Sequence, residues 1–192
     1  MYEKSLARDT AVMGLFIALQ IITTRFMPQT PYIRIDLAFI PIALCAMLYG
    51  PIKGGGSAAL GDVIGFMLFP PPFPFFPGFT FSAFITGVIF GLFLYRRPKS
   101  AFRFAVPVIA VFIIKNLGLD TLWVLMITSE NFFTLSLLEM MGRFAALMPV
   151  RLIHLVMVPV QVITLTLLWE YAIKRFESRF VPVNDPYTNF KS

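Results

Sequence analysis

Residues 37–69 read LAFIPIALCAMLYGPIKGGGSAALGDVIGFMLF. Two apolar runs, 37–49 and 56–69, are separated only by a short segment rich in glycine. Glycine and proline are the residues that most often interrupt helices and form turns. The stretch therefore predicts a tight hairpin of two apolar helices, with the consecutive glycines 54–56 in its turn.

The composition of the whole 192-residue chain indicates a membrane protein around this hairpin. Apolar residues make up 58% of the chain, charged residues 14%, and the mean hydropathy is +0.80. Soluble domains usually carry about 25% charged residues. Disordered chains contain few aromatic residues, whereas this chain has 22 phenylalanines. Its single cysteine, Cys45, excludes an internal disulfide framework.

Four further apolar runs approach or exceed the roughly 20 residues that a transmembrane helix needs. Together with the hairpin they predict an all-α integral membrane protein with six transmembrane helices. The predicted spans are 10–27, 37–49, 56–69, 78–95, 104–127 and 147–173. We expect one six-helix transmembrane domain over 1–180 and a cytoplasmic tail over 181–192.

The basic residues predict the orientation of these spans. Loops on the cytoplasmic side of a membrane protein are enriched in Lys and Arg. Most of the sixteen lysines and arginines lie on the side that both termini share. The strongest marker is the segment RRPKSAFR, 96–103, between the fourth and fifth spans. Both termini are therefore expected to be cytoplasmic.

Five basic residues do not follow this rule, because they lie within a span or on the outer side. A charge at the centre of a bilayer costs at least ~2.5–3.5 kcal/mol, so such a group usually faces a cavity or a partner. Some of the five can pair with Asp62, Asp120 or Glu139 for structural reasons alone. Alternatively, several of them line an outward-facing pocket for an anionic small molecule. The five are Arg25, Arg34, Lys115, Arg143 and Arg151.

The predicted depth of these cations differs. Lys115 lies near mid-membrane, and Arg151 one turn inside the sixth span. Arg25 ends the first span, and Arg143 falls in the last outer loop; both positions are equally compatible with an interfacial role. Arg34 lies in the first outer loop, close to Asp36.

Other features have both a structural and a functional interpretation. The segment PPPFPFFPGF, 70–79, predicts a stiff aromatic outer loop, because proline fixes φ and removes an N–H donor. It is either an aromatic belt at the interface or a lid over a pocket. The lone His154 is interpreted as a hydrogen-bonded core residue.

The sequence contains no GxxxxGK[ST] loop for nucleotide binding. With one histidine and one cysteine, the chain has few candidate metal ligands or catalytic nucleophiles. We therefore expect neither an enzyme nor a metal site, and no nucleic-acid partner.

Two stretches, 34–70 and 75–96 (FFPGFTFSAFITGVIFGLFLYR), carry a resemblance to a known family. The first contains a GP…G turn followed by an Asp. The chain resembles the substrate-binding S component of energy-coupling factor (ECF) vitamin transporters, most closely the folate-specific type, over about 10–173. The AxxxA motif with which that family docks on its coupling partner appears here as Gly14-Leu-Phe-Ile-Ala18.

The resemblance implies six helices with an outward-facing site that binds folate with high affinity. It implies transport only together with an EcfT-like transmembrane coupling protein and two cytoplasmic ATPases. The chain itself would then need no cofactor, because the partner subunits use the ATP. The implied location is the cell membrane of a prokaryote, as a multi-pass protein in the lipid bilayer.

Candidate roles follow from the chemistry of folate, which has a flat pterin, an aminobenzoate ring and a glutamate tail. A carboxylate at Asp62 matches the pterin N–H groups, and Phe79 and Trp123 offer stacking surfaces. Asn116 adds a neutral hydrogen bond, and the cations suit carboxylates. The candidate substrate-binding residues are Arg25, Arg34, Asp62, Phe79, Lys115, Asn116, Trp123, Arg143 and Arg151, and the candidate partner interface is Gly14 and Ala18.

Three alternatives remain open from the sequence. The chain can be an S component for another vitamin, since the architecture of that family is shared. It can be a small intramembrane enzyme that acts on a phosphorylated lipid, because the same cations would hold a phosphate. It can be a structural membrane subunit in which the buried charges only pair.

Overall fold

Six helical segments form the part of the chain that the computed structural model describes, which is residues 2–25, 37–70, 74–97, 101–129 and 136–173. No strand occurs within these ranges, so the all-α prediction is confirmed there. The predicted tail, 181–192, lies outside them. In chain order the helices are α1 (Tyr2–Arg25), α2 (Phe39–Tyr49), α3 (Pro51–Leu68), α4 (Pro77–Leu94), α5 (101–128) and α6 (137–173).

Among the described residues, three helices are long and apolar enough to cross a bilayer: Pro77–Leu94, Phe102–Thr128 and Leu137–Tyr171. Two shorter apolar helices are Asp9–Thr24 and Phe39–Tyr49. The 11 residues of α2, at about 1.5 Å each, cover roughly half of a 30 Å hydrocarbon core. Glycines and two charged residues make α3 less apolar than its neighbours. The structure thus supports six helices, three of which have the length and hydropathy of full spans.

The turn between α2 and α3 differs from the predicted one. It is the single residue Gly50, whose φ of 88° is a conformation that favours glycine. Pro51 then begins α3 at a position where proline is common. The glycines 54–56 lie inside α3, so their placement in the turn was wrong. Gly54 and Gly55 allow close packing, because a Cβ on Gly54 would lie 2.5 Å from the Cβ of Ala46 in α2 and one on Gly55 would lie 2.8 Å from Val88 Cγ2 in α4. A Cβ on Gly56 would meet no atom within 4 Å.

Helices α3 and α4 form the most closely packed pair. The small residues spaced by four in α3, which are Ser57, Gly61 and Gly65, are all buried. Gly87 of α4 lies directly against the backbone of Gly54. Small residues allow helix backbones to approach closely where lipid provides no hydrophobic driving force between helices. Helices α1, α2 and α5 pack against this α3–α4 pair, and α6 packs against α5.

The outer surface of the bundle is apolar. Large apolar side chains are exposed on several helices, which is expected where lipid rather than water surrounds the protein. Examples with more than half of their surface exposed are Ile52, Met67, Phe102 and Leu138.

Helix α5 is irregular in its middle. Pro107 lies inside its first part, and the segment Phe112–Leu119 is π-helical. In this segment the amide of Asp120 donates to the carbonyl of Lys115, five residues earlier instead of four. The two residues are therefore one turn apart and on the same face. Such π segments occur frequently at functional sites.

Helix α6 begins about ten residues before the predicted span. A reciprocal capping box stabilises its start, because Ser136 and Glu139 hydrogen-bond each other's backbone amides. Arg143 consequently lies in α6 and not in a loop, so that placement was wrong. Further along, Pro149 precedes a short 3-10 segment, Ile153–Val156. This segment contacts the π-helical segment of α5.

Candidate functional site

A cavity with a volume of about 90 Å³ lies between the helices, and all six of them contribute to its walls. Its apolar walls include the rings of Phe39, Phe79 and Phe112. The polar groups of the lining outnumber its apolar ones, which is unusual in a membrane interior, where every polar group needs a partner. These polar residues are Gln20, Thr24, Asp62, Thr86, Lys115, Asn116, Asp120, Arg151, His154 and Gln161.

Five of the sequence-predicted substrate-binding residues meet in this cavity. They come from four different helices, α3 to α6, and their convergence could not be read from any single motif. The five are Asp62, Phe79, Lys115, Asn116 and Arg151.

Of the other four predicted site residues, the two whose side chains the structure describes, Trp123 and Arg143, lie outside this lining. The indole N–H of Trp123 donates to Ser82 Oγ at 3.0 Å, and Trp123 does not line the cavity. Arg143 is exposed, donates to Ser129 Oγ at 2.9 Å, and also lies outside the lining. Arg34 lies outside the described residues, as does the side chain of Arg25, at which α1 ends.

Two cations of the lining, the half-buried Lys115 and the buried Arg151, converge on Asp120. Lys115 Nζ lies 3.7 Å from Asp120 Oδ2. Arg151, with only 6% of its surface exposed, donates from Nη2 to the backbone carbonyl of Asp120 at 3.1 Å. The hypothesis that these cations pair with an acid inside the protein is therefore confirmed for Lys115 and Asp120. The pairing does not close the site, because all three side chains also face the cavity.

Asp62 is held by α4. The hydroxyl of Thr80 donates to Asp62 Oδ2 at 2.7 Å, which fixes the carboxylate at the cavity wall. A contact between α1 and α3 also supports this wall, since Gln20 Nε2 donates to the Ala58 carbonyl at 2.8 Å. Gly61 makes room for that contact, because a Cβ there would collide with the Gln20 amide.

His154 differs from its sequence interpretation. It lines the cavity, and within the described residues its buried Nδ1 has no hydrogen-bond partner. The interpretation as a hydrogen-bonded core residue was therefore wrong. Its spacing of three from Arg151 was the signal for a shared face. Gln20, Thr86, Asp120 and Gln161 were likewise not predicted as site residues.

An aromatic cluster adjoins the cavity on the side of the predicted loop 70–79. Helix α4 begins at Pro77, so Phe79 lies in its first turn. The ring of Phe76 lies 6.0 Å from Phe79 and 5.7 Å from Trp123, measured between centroids. Edge and tilted contacts of this kind stabilise aromatic pairs. Trp123 therefore contacts Phe76, which in turn contacts Phe79, and of these three rings only Phe79 lines the cavity.

The lining can bind a small molecule that is flat and polar. It offers aromatic faces for a ring, two carboxylates for N–H donors and two cations for acidic groups. Within the described residues no group of three or more His, Cys, Asp or Glu side chains could hold a metal ion.

Comparisons with known proteins identify the family. Residues 8–173 match the model of the family described as "ECF transporter, substrate-specific component". A relative named folate transporter FolT, from Clostridium novyi (strain NT), is 41% identical over 119 residues, which is 62% of this chain and 69% of the relative. A second protein of the same name, from Leuconostoc mesenteroides, is 31% identical over 165 residues and 84% of each chain.

The fold agrees with these sequence matches. A solved structure described as FolT bound with folic acid superposes with a TM-score of 0.71 and 34% identity, covering 83% of this chain and 92% of that one. The chain belongs to the family of substrate-specific components of ECF transporters. It is therefore a multi-pass membrane protein of a transport system and not an enzyme, which decides against the hypothesis of a lipid-phosphate enzyme.

Proposed function

We propose that this chain is the folate-binding S component of an ECF transporter and that folate binds in the cavity between its six helices. The observation that carries the proposal is the convergence of Asp62, Phe79, Lys115, Asn116 and Arg151 on one buried space. Two relatives that are named folate transporters and a related structure with folic acid support the choice of ligand.

The size of the cavity indicates which part of folate it holds. Pockets for drug-sized ligands have volumes of roughly 300–1,000 Å³, whereas this cavity measures about 90 Å³. We infer that it takes one end of the molecule and that the remainder extends beyond the described lining. Lys115 and Arg151 are already engaged with Asp120. The cavity therefore suits the pterin end of folate. Arg25 and Arg34, which the sequence places on the outer side, remain candidates for binding the glutamate tail.

Selectivity among vitamins tests this proposal. A ligand at 1,000 times its dissociation constant adds about 4 kcal/mol to the free energy of unfolding. Folate should therefore raise the melting temperature of the purified protein by several degrees, whereas thiamine and riboflavin should not. A rise with another vitamin and none with folate would contradict the proposal and favour a different substrate within the same family.

We further propose that folate crosses the membrane only when the chain is coupled to a transmembrane partner and two cytoplasmic ATPases, which use the ATP. In this arrangement both termini are cytoplasmic, in accordance with the charge distribution along the sequence. The candidate docking surface is Gly14 and Ala18 of α1. Both residues are exposed, and a Cβ on Gly14 would meet no atom within 4 Å.

Substitution of Gly14 by leucine tests the docking surface. The added side chain projects from an open helix face, so folate binding to the isolated chain should stay within about twofold of wild type. Close helix contact requires small residues, so ATP-dependent folate uptake with the coupling partners should fall at least about tenfold. Gly142→Leu is the matched control, because Gly142 is also an exposed helical glycine with no atom near its Cβ position. Equal uptake by the two variants would remove α1 as the docking surface.

A further inference from the structure

Two polar atoms that are buried without a hydrogen-bond partner in the described part of the chain belong to the same cavity. They are Asp120 Oδ1 and His154 Nδ1, and both side chains line the space between the helices. Buried polar side-chain atoms are nearly always hydrogen-bonded in native proteins, so each exception requires an explanation. A ligand that supplies both partners explains the two exceptions together.

The neighbours of Asp120 account for its other oxygen only. Lys115 lies 3.7 Å from Oδ2, and Arg151 donates to the backbone carbonyl and not to the carboxylate. The backbone amide of Asp120 is also satisfied, by the Lys115 carbonyl. Asp120 is only 6% exposed, so water outside the protein does not hydrate Oδ1. This carboxylate oxygen is therefore available to a donor inside the cavity.

Both residues lie where the regular helices are interrupted. Asp120 directly follows the π-helical segment Phe112–Leu119, and His154 is in the 3-10 segment Ile153–Val156. The two segments contact each other. Interruptions of this kind in helices occur frequently at functional sites. Here they place a carboxylate and an imidazole on the same cavity from two different helices.

We propose that Asp120 and His154 form a pair that recognises the pterin ring, an inference that rests on the proposed binding of folate. Asp120 Oδ1 accepts a hydrogen bond from a ring or amino N–H group of the pterin. His154 Nδ1 bonds a neighbouring ring nitrogen or carbonyl, as donor or acceptor according to its tautomer. Asp62 already accepts a hydrogen bond from Thr80. In this proposal Asp62 and Asp120 are two carboxylates that can both accept hydrogen bonds from the N–H groups of the pterin.

Asp120→Asn tests the carboxylate. The amide is of the same size, but it has only one acceptor oxygen and no charge, so folate should bind about 10- to 100-fold more weakly. The fragment p-aminobenzoylglutamate, which lacks the pterin, should bind wild type and the variant with the same dissociation constant when its binding is measured directly. Asp9→Asn is the matched control, because Asp9 lies near the start of α1, outside the cavity lining.

His154→Leu and His154→Asn test the imidazole and keep the inference open to refutation if Asp120→Asn does not fold. Leucine removes the polar atom, and asparagine retains one near the position of Nδ1. Folate should bind at least about tenfold more weakly to His154→Leu, and His154→Asn should recover part of that loss.

Two results would contradict the proposal that Asp120 and His154 recognise the pterin. One is folate binding within twofold of wild type in folded Asp120→Asn and His154→Leu proteins. The other is an equal loss of affinity for folate and for the fragment without pterin, which would indicate general damage to the site. Failure of the proposed function gives a different result, because wild type itself would then bind no folate.

Discussion

Replacing Arg151 with methionine is expected to lower the affinity for folate by about 10- to 100-fold or more. Arg151 is almost fully buried, lines the cavity and holds the backbone of Asp120. Within the described lining it supplies one of the two positive charges that balance Asp62 and Asp120, so its loss leaves an excess of negative charge around an anionic ligand. Removing a charged hydrogen-bond partner from a buried site costs about 1.5–3 kcal/mol or more, and each 1.4 kcal/mol changes affinity about tenfold.

Arg143→Met provides the matched control for this prediction. It changes the same residue type to the same replacement in the same helix, but Arg143 is exposed, bonded to Ser129 and outside the cavity. Folate binding to this variant should remain within about threefold of wild type. Comparable losses in the two variants would contradict the cavity as the binding site. A soluble, monodisperse Arg151→Met protein that has lost folate binding would also exclude a purely structural role for the cation.

Gly54→Ala should strongly destabilise the protein. A Cβ at this position would lie 2.5 Å from the Cβ and 2.6 Å from the Cα of Ala46, so α2 and α3 would have to separate. Overpacking of a well-packed interior typically costs about 1–3 kcal/mol, and more where backbone must move. The melting temperature in detergent is therefore expected to fall by about 5–10 °C.

Gly56→Ala provides the comparison for that stability change. It lies two residues further along the same helix, and a Cβ there would meet no atom within 4 Å. Alanine favours helix over glycine by about 1 kcal/mol, so this variant should melt at or slightly above the wild-type temperature. Similar melting temperatures for the Gly54 and Gly56 variants would show that α2 and α3 do not pack as closely as the structure indicates.

The sequence predicted the helical fold because bilayer spans are defined by long apolar runs. It misplaced 54–56 in a turn, because three consecutive glycines usually signal flexibility, whereas here Gly54 and Gly55 allow α3 to approach α2 and α4. It also missed the start of α6, where the polar capping box at Ser136 and Glu139 precedes a helix that is only moderately apolar at first.

Part of the candidate site could also be predicted from the apolar runs. Charges inside apolar runs are costly, so Lys115 and Arg151 stood out, and they do meet in one cavity. The role of Asp120 did not stand out, because regular helix spacing pairs it with Asn116. The π-helical segment places Asp120 on the same helix face as Lys115. No residue pattern in the sequence predicts that segment. His154 was interpreted as a core residue because a lone histidine within a span is more often hydrogen-bonded inside the protein than part of a site.

Calorimetric titration of folate into the purified wild-type chain in detergent, without partner subunits or ATP, tests the central claim most directly. We expect saturable binding of one folate per chain, retained in Arg143→Met and lost or greatly weakened in Arg151→Met. Absence of folate binding to wild-type protein that shows a cooperative melting transition would contradict the account.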